Sequence, residues 1–150
     1  MAAMTDALPA ETQLLKDLSC VGADQFTSHD YKPGTIKHIV LFRFKTDVTS
    51  AQIDQVTAEF KSLQQRCKRD HRPYIQSLTY GEQMNGEGAS QGFTLGFIVT
   101  FKSEGDRNYY VGEPLVRDPQ FYDAAHHKFK KLVSPLLDAQ GALVFDFVVS

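Results

Sequence analysis

Apolar and polar residues follow two different periods along the chain, one typical of helices and one typical of strands. The changes between these periods divide the chain into predicted helices and strands. In the first part of the chain, leucines recur at helical spacing and predict one short amphipathic helix: Leu14, Leu15 and Leu18. Residues 1–9 are small and polar, which predicts a mobile start, and Pro33-Gly34 marks a turn. We define residues 1–34 as an N-terminal extension that is partly helical or flexible. It is expected to form a surface arm, and packing on a partner subunit is the alternative.

From residue 35 onward, apolar runs typical of strands alternate with amphipathic helical stretches. The predicted strands cover residues 36–44, 74–81, 92–101 and 142–149, and the predicted helices cover 51–67, 102–110 and 119–137. The order of the main elements is strand, helix, strand, strand, helix, strand. With right-handed crossovers, this order predicts an α+β fold of the ferredoxin-like split βαβ type. Residues 35–150 would then form a four-stranded antiparallel sheet with helices on one face.

The predicted strands are apolar on both of their faces. In the third strand, Phe97 and Val99 lie on one side and Ile98 on the other. An uncovered face of this kind leaves an apolar patch larger than a soluble monomer usually tolerates. We therefore expect a homodimer, a dimeric α/β barrel, in which two sheets face each other and enclose a cavity.

Composition narrows the classes of function. The 150 residues allow one domain with a tail, and 16 basic against 18 acidic side chains are too balanced to predict a nucleic-acid partner. No apolar run approaches the roughly 20 residues of a membrane span, and the first thirty residues hold no apolar core of a secretory signal. Two distant cysteines, Cys20 and Cys67, give no disulfide framework, which indicates a reducing compartment. A cytoplasmic location is expected.

Two histidines interrupt rows that are otherwise apolar. His38 shares a strand face with Val40 and Phe42, and His126 aligns with Phe129 and Val133 on the inward stripe of a helix. Each is either a core histidine satisfied by its surroundings or a polar group that faces the cavity. The other three histidines are expected to be exposed and without a function: His29, His71 and His127.

Asp146 lies within the apolar run of the last predicted strand, where a carboxylate is costly unless a partner compensates it. We expect it to pair with His126, fix that ring's tautomer and raise its basicity, as a general base requires. Tyr109 and Tyr110 end the predicted short helix, and one of them is expected to supply a phenol that polarises a carbonyl or relays a proton. The alternative is that both are aromatic core residues.

Other kinds of site lack a matching pattern. No glycine-rich phosphate loop and no G-x-S-x-G sequence occurs. His126 and His127 point roughly 100° apart on a helix, which disfavours joint metal binding. No cofactor and no metal is expected.

Four segments resemble the stress-responsive A/B-barrel family. They are the opening strand (36–45), a strand end followed by a short helix (101–110), the stretch 123–129, which is similar to an H-P-A-H-x-x-F motif, and the closing strand (143–147). The resemblance implies a ferredoxin-like protomer and a dimeric barrel. It also implies activities found in the family, which includes plant stress proteins without a clear reaction, a polyketide cyclase and a plant hydroxynitrile lyase. By position it implies acid–base roles for Tyr110 and His126, a pocket role for His38 and a matching aspartate, Asp146.

The chain departs from the family pattern in three places. Asp123 and Ala124 stand where the motif has histidine and proline, and extra residues at 112–121 separate Tyr110 from His126. We expect this longer loop to act as a lid or to reshape the pocket. The N-terminal extension is the third departure.

Two functions follow from these residues. The first is a small cofactor-independent lyase or cyclase that acts on a carbonyl compound, with His126 as general base, Tyr110 as hydrogen-bond donor and His38 positioning the substrate. The second is a non-catalytic dimer, related to stress or to binding a small apolar ligand. A third candidate function, that of a monooxygenase-like or haem-handling barrel, is supported by analogy with the fold alone.

Overall fold

The computed structural model describes residues 8–150, so most of the predicted mobile start lies outside the described residues. The helices are α1 (Ala10–Phe26), α2 (Ser50–Arg66), α3 (Glu104–Val111) and α4 (Ala124–Val133). The strands are β1 (Pro33–Phe44), β2 (Lys68–Arg69), β3 (Arg72–Pro73), β4 (Ser77–Glu82), β5 (Leu95–Ser103) and β6 (Leu137–Val148). Short 3₁₀ turns precede and follow α4, at Pro119–Phe121 and Ser134–Leu136.

The four long strands form one sheet in the order β4-β5-β1-β6, and every neighbouring pair is antiparallel. This is the split βαβ arrangement, so the predicted α+β, ferredoxin-like protomer is confirmed. The small β2–β3 hairpin, which the sequence did not indicate, forms in the basic stretch after α2.

Side-chain caps fix where the helices after β1 begin. Thr49 and Gln52 form a reciprocal capping box at the start of α2. Ser103 caps α3 through its hydroxyl, and Asp123 accepts two backbone N–H groups at the start of α4. Each of these side chains accepts backbone N–H groups that the first turn of its helix leaves without a partner.

Several element boundaries differ from the prediction, among them those of α1 and β6. Helix α1 is longer than the leucine spacing indicated and bends at Gly22, whose φ is 83°. Strand β6 begins at Leu137, whereas the last strand was predicted to begin at residue 142. Gly141 lies so close to the carbonyl oxygen of Arg43 that a Cβ atom would stand only 2.4 Å from it. At this point the pairing of β6 with β1 is irregular, with a shift of register between Phe42 and Phe44.

The two faces of the sheet have different environments. On one face the helices cover an aromatic core, in which Phe60 of α2 stacks on Phe97 of β5 with ring centroids 3.8 Å apart. The opposite face, which we call the open face, carries apolar side chains without a cover from the described chain: Ile39, Leu41, Ile98, Leu143, Phe145 and Phe147. Phe145 is 60% exposed. The prediction that the strands are apolar on both faces is therefore confirmed.

Candidate functional site

A histidine–aspartate pair lies on the helix-covered face of the sheet. His38 of β1 and Asp146 of β6 are direct cross-strand neighbours. His38 Nδ1 donates to Asp146 Oδ1 at 2.7 Å, and Arg107 Nη1 of α3 donates to Asp146 Oδ2 at 2.9 Å. Because the carboxylate holds the proton on Nδ1, Nε2 is the basic nitrogen of a neutral His38.

The surroundings of Asp146 keep it ionised. Burial acts against the charged carboxylate, but the hydrogen bond and charge of His38, together with the Arg107 guanidinium, outweigh it and lower the pKa of Asp146. Because Asp146 stays ionised, it is a charged acceptor for the N–H at His38 Nδ1.

Tyr110 lies between the two candidate histidines. Its ring stacks on His126 with centroids 3.7 Å apart and meets the edge of His38 at 5.6 Å. The Tyr110 hydroxyl is buried and has no hydrogen-bond partner among residues 8–150. Burial, together with the nearby Cys67 and Asp123, raises the pKa of Tyr110 far above its ordinary value, so the phenol stays protonated.

His126 is held as a neutral ring. Its Nδ1 donates to the backbone carbonyl of Tyr110 at 2.6 Å, which leaves Nε2 as the acceptor nitrogen. Burial, and then the charge of Lys130, lowers the pKa of His126 well below its ordinary value, although the bond to the Tyr110 carbonyl opposes this.

The lowered pKa of His126 predicts a loss of stability in acid. The unfolded chain takes up this proton near pH 6.5 and the folded chain does not, so the stability is fully present above about pH 6.5 and declines below it. The decline approaches about 1.4 kcal/mol per pH unit. Urea unfolding at fixed protein concentration should show it in the native chain and a smaller slope in His126→Gln. His127→Gln serves as the control, and equal slopes in all three proteins would contradict the assignment.

The structure corrects two predictions about these groups. His38, Tyr110, His126 and Asp146 come together between the sheet and the helices of one protomer, not in a cavity between two open faces. Asp146 pairs with His38 instead of His126, because the register of β1 and β6 places the first two side by side. His126 finds its partner in the Tyr110 carbonyl.

A small cavity of about 100 Å³ opens beside the pair, and we call it the His38 pocket. Its polar side consists of His38, Arg107, Asn108 and Asp146, and the rest is mainly apolar: Leu14, Phe26, Val111, Gly112, Leu115 and Val144. Neither Tyr110 nor His126 lines it. An imidazole and a carboxylate at the edge of an apolar cavity suit a small ligand with one polar centre.

The remaining histidines contribute little to this site. His29 is exposed as predicted, but its Nδ1 contacts the fully buried Asp106 at 2.8 Å, and Arg69 Nη1 donates to the same carboxylate at 3.0 Å. His127 was predicted to be exposed but is half-buried, and it stacks on Tyr122 with centroids 4.9 Å apart. His71 is exposed in the β2–β3 turn, as predicted.

Sequence reasoning missed Arg107 as a site residue. It lies in a helix whose charged residues are largely buried, and only 8% of it is exposed. The short helix has no apolar stripe from which its inward face could be predicted. Only the position of Asp146 on the neighbouring strand shows what Arg107 binds.

Metal clusters and membrane-spanning helices are both absent from the part of the chain that the structure describes. Residues 8–150 contain no cluster of three histidine, cysteine or carboxylate side chains arranged to hold a metal. Within the same residues, none of the helices has the length and apolarity needed to cross a membrane.

Comparison of the sequence with models of known protein families shows which family the chain matches. The model of the stress responsive A/B barrel domain matches residues 36–149. The chain belongs to this family. The resemblance seen in the opening and closing strands is thereby confirmed, and the match covers all four sheet strands as well as α2, α3 and α4.

Solved structures related to this A/B-barrel chain share its fold. A hydroxynitrile lyase from Passiflora edulis is 24% identical, with a TM-score of 0.62, and the match covers 79% of this chain and 95% of that one. An Arabidopsis thaliana protein is 23% identical, with a TM-score of 0.61 and coverage of 77% and 95%. A dimeric ferredoxin-like protein of unknown function from Jannaschia is 19% identical, with a TM-score of 0.59 and coverage of 77% and 100%. No curated protein sequence matches the chain.

Proposed function

We propose that this A/B-barrel protein is a small cofactor-independent lyase that cleaves or forms hydroxyl adducts of carbonyl compounds. The observation that carries the proposal is the His38–Asp146 pair at the edge of the His38 pocket. Proton transfer to and from a small adduct requires a base in a fixed orientation. Here a carboxylate orients the base, and an apolar cavity lies next to it.

The reaction needs one base that gives its proton back. His38 Nε2 removes the hydroxyl proton of the bound adduct, the carbon–oxygen double bond forms, and the bond to the leaving carbanion breaks. The imidazolium then returns the same proton to the leaving carbanion, so the products are a carbonyl compound and a neutral second fragment. Asp146 stabilises the imidazolium between these steps, and Arg107 holds the carboxylate in place.

This proposal assigns the general base to His38, whereas the sequence pointed to His126. Of these two histidines, His38 is the one that has a carboxylate partner and borders the pocket. Tyr110 and His126 are positioning residues here, since the Tyr110 ring contacts both imidazoles. The predicted role of the Tyr110 phenol as a donor to an oxyanion stays a prediction.

The lyase class receives support from a structural neighbour, the hydroxynitrile lyase from Passiflora edulis. At this level of identity the likeness concerns the fold, so the reaction rests on the geometry of the pair. A cyclase that closes a ring by aldol chemistry uses the same proton transfer, but the His38 pocket, at about 100 Å³, is too small for a long polyketide.

We also propose that the open face pairs with the open face of a second copy. Six apolar side chains on three neighbouring strands form one continuous surface there. Structural neighbours from Jannaschia and other bacteria are described as dimeric. Pairing buries the patch, while each His38 pocket stays within its own protomer on the other side of the sheet.

The test is a cleavage assay with small adducts. Purified protein is incubated with acetone cyanohydrin or diacetone alcohol, and released cyanide or acetone is measured. We expect turnover above the buffer rate, and at least about ten-fold lower kcat/KM in Asp146→Asn, because the imidazolium loses its counter-charge. Asp138→Asn on the same strand is the matched control, since Asp138 pairs with Arg43 away from the pocket.

A second function, non-catalytic binding of a small apolar ligand, has its own supporting observation. Asp146, His38 and Arg107 satisfy one another's polar atoms, as purely structural groups do. If neither adduct is cleaved and a small ketone still binds in the pocket, this second function replaces the first.

A further inference from the structure

The N-terminal extension forms one wall of the His38 pocket. Leu14 and Phe26, both from α1, line the cavity opposite His38 and Asp146. Phe26 is fully buried and packs with Tyr31 and Val116 in a second apolar cluster, which joins α1 to the 112–122 loop. The wall therefore combines two of the three parts of the chain that depart from the family sequence pattern.

Backbone contacts fix the end of the extension to α3. Asn108 Nδ2 donates to the carbonyl of Phe26 at 2.9 Å, and the Gly105 N–H donates to the carbonyl of Tyr31 at 3.0 Å. A Cβ atom at Gly105 would lie 1.6 Å from the Ser28 carbonyl oxygen, so only glycine admits this approach. An extension that did not pack against α3 would not require glycine at position 105. The attachment to α3 therefore holds Phe26 at the pocket.

The family match begins at residue 36, so Leu14 and Phe26 lie outside it. The residues of the His38–Asp146 pair and Arg107 lie inside it. In this chain the chemical groups therefore come from the family domain, while part of the apolar boundary comes from the extension.

We propose that α1 is the specificity element of the pocket and that Leu14 sets the length of the ligand it admits. Leu14 is half-buried at the cavity, whereas its neighbour Leu15 is 51% exposed and does not line it. At about 100 Å³ the cavity is smaller than the roughly 150 Å³ hydrocarbon cavities that admit benzene. The fitting ligands are short-chain carbonyl compounds. Their chemical class rests on the proposed function, while the length limit rests on the cavity alone.

The test measures binding and leaves turnover aside. Acetone, methyl propyl ketone and methyl pentyl ketone are titrated into the full chain, and the imidazole nitrogen signals of His38 are followed by NMR. We expect the native protein to bind the shorter ketones and to discriminate against methyl pentyl ketone. In Leu14→Ala the isobutyl group is replaced by methyl. Each further methylene of the ligand that is then buried should strengthen binding about four-fold.

Leu15→Ala is the matched control on the same helix, and it should keep the native order of affinities. The proposal is overturned if Leu14→Ala retains the native length preference, if Leu15→Ala changes it equally, or if no ketone binds to either the native protein or Leu14→Ala. A shifted length preference supports the proposal even when both adducts remain uncleaved, so its outcome is separate from that of the lyase assay.

Discussion

Replacing His38 by glutamine should lower kcat/KM for cleavage of the carbonyl adduct by about 10²–10⁴-fold, the usual contribution of a general base. Glutamine can still donate a hydrogen bond to Asp146, but it cannot accept and return a proton at the position of Nε2. The neighbouring carboxylate keeps a donor, so the loss should lie in the chemical step more than in the fold. Steady-state kinetics with acetone cyanohydrin measures the effect, and a thermal melt monitors stability.

The matched control for this change is His127→Gln, because His127 stacks on Tyr122 away from the pocket. It should turn over the adduct at the native rate. His126→Gln separates the two candidate bases. A loss confined to His126→Gln, with native activity in His38→Gln, would return the base to His126 and refute the role proposed for the carboxylate pair.

Replacing Phe145 by aspartate should separate the two copies of the chain. Phe145 is the most exposed of the apolar residues on the open face, and its ring lies 6.3 Å from that of Phe147. The change removes an aromatic contact and places an unpaired charge in a desolvated interface. We expect the dimer dissociation constant to rise about 10²–10³-fold.

Sedimentation velocity over a dilution series measures this constant. Leu132→Asp is the control, since Leu132 is a partly exposed apolar residue of α4 on the opposite side of the sheet. It should leave the native constant unchanged. A native chain that stays monomeric at every concentration, or a Phe145→Asp protein that stays dimeric, would show that the open face is not the interface.

The fold was predictable because its signals are local. Alternating apolar residues mark the strands, and polar caps such as Ser103 and Asp123 mark helix starts. The order of elements then limits the topology to few choices. The predicted start of the last strand at residue 142 was wrong, because a glycine such as Gly141 that accommodates a neighbouring backbone has the same sequence signature as a glycine that turns the chain.

The site was predictable in its members but not in its pairing. Alternation shows that His38 and Asp146 interrupt apolar rows, which identifies both as unusual. Alternation does not show the register of β6 against β1. This register decides which histidine lies next to the carboxylate. The side of the sheet was wrong for a related reason, since both faces are apolar and the pattern does not indicate which one the helices cover.

The His38–Asp146 hydrogen bond joins positions 108 residues apart. Closing so long a segment costs chain entropy that only the completed sheet offsets, and contacts of this range usually form late in folding. The basic nitrogen of His38, Nε2, therefore acquires its orientation only after β6 has paired with β1. A chain in which β6 is detached from β1 would lack the proposed base even with its helices formed.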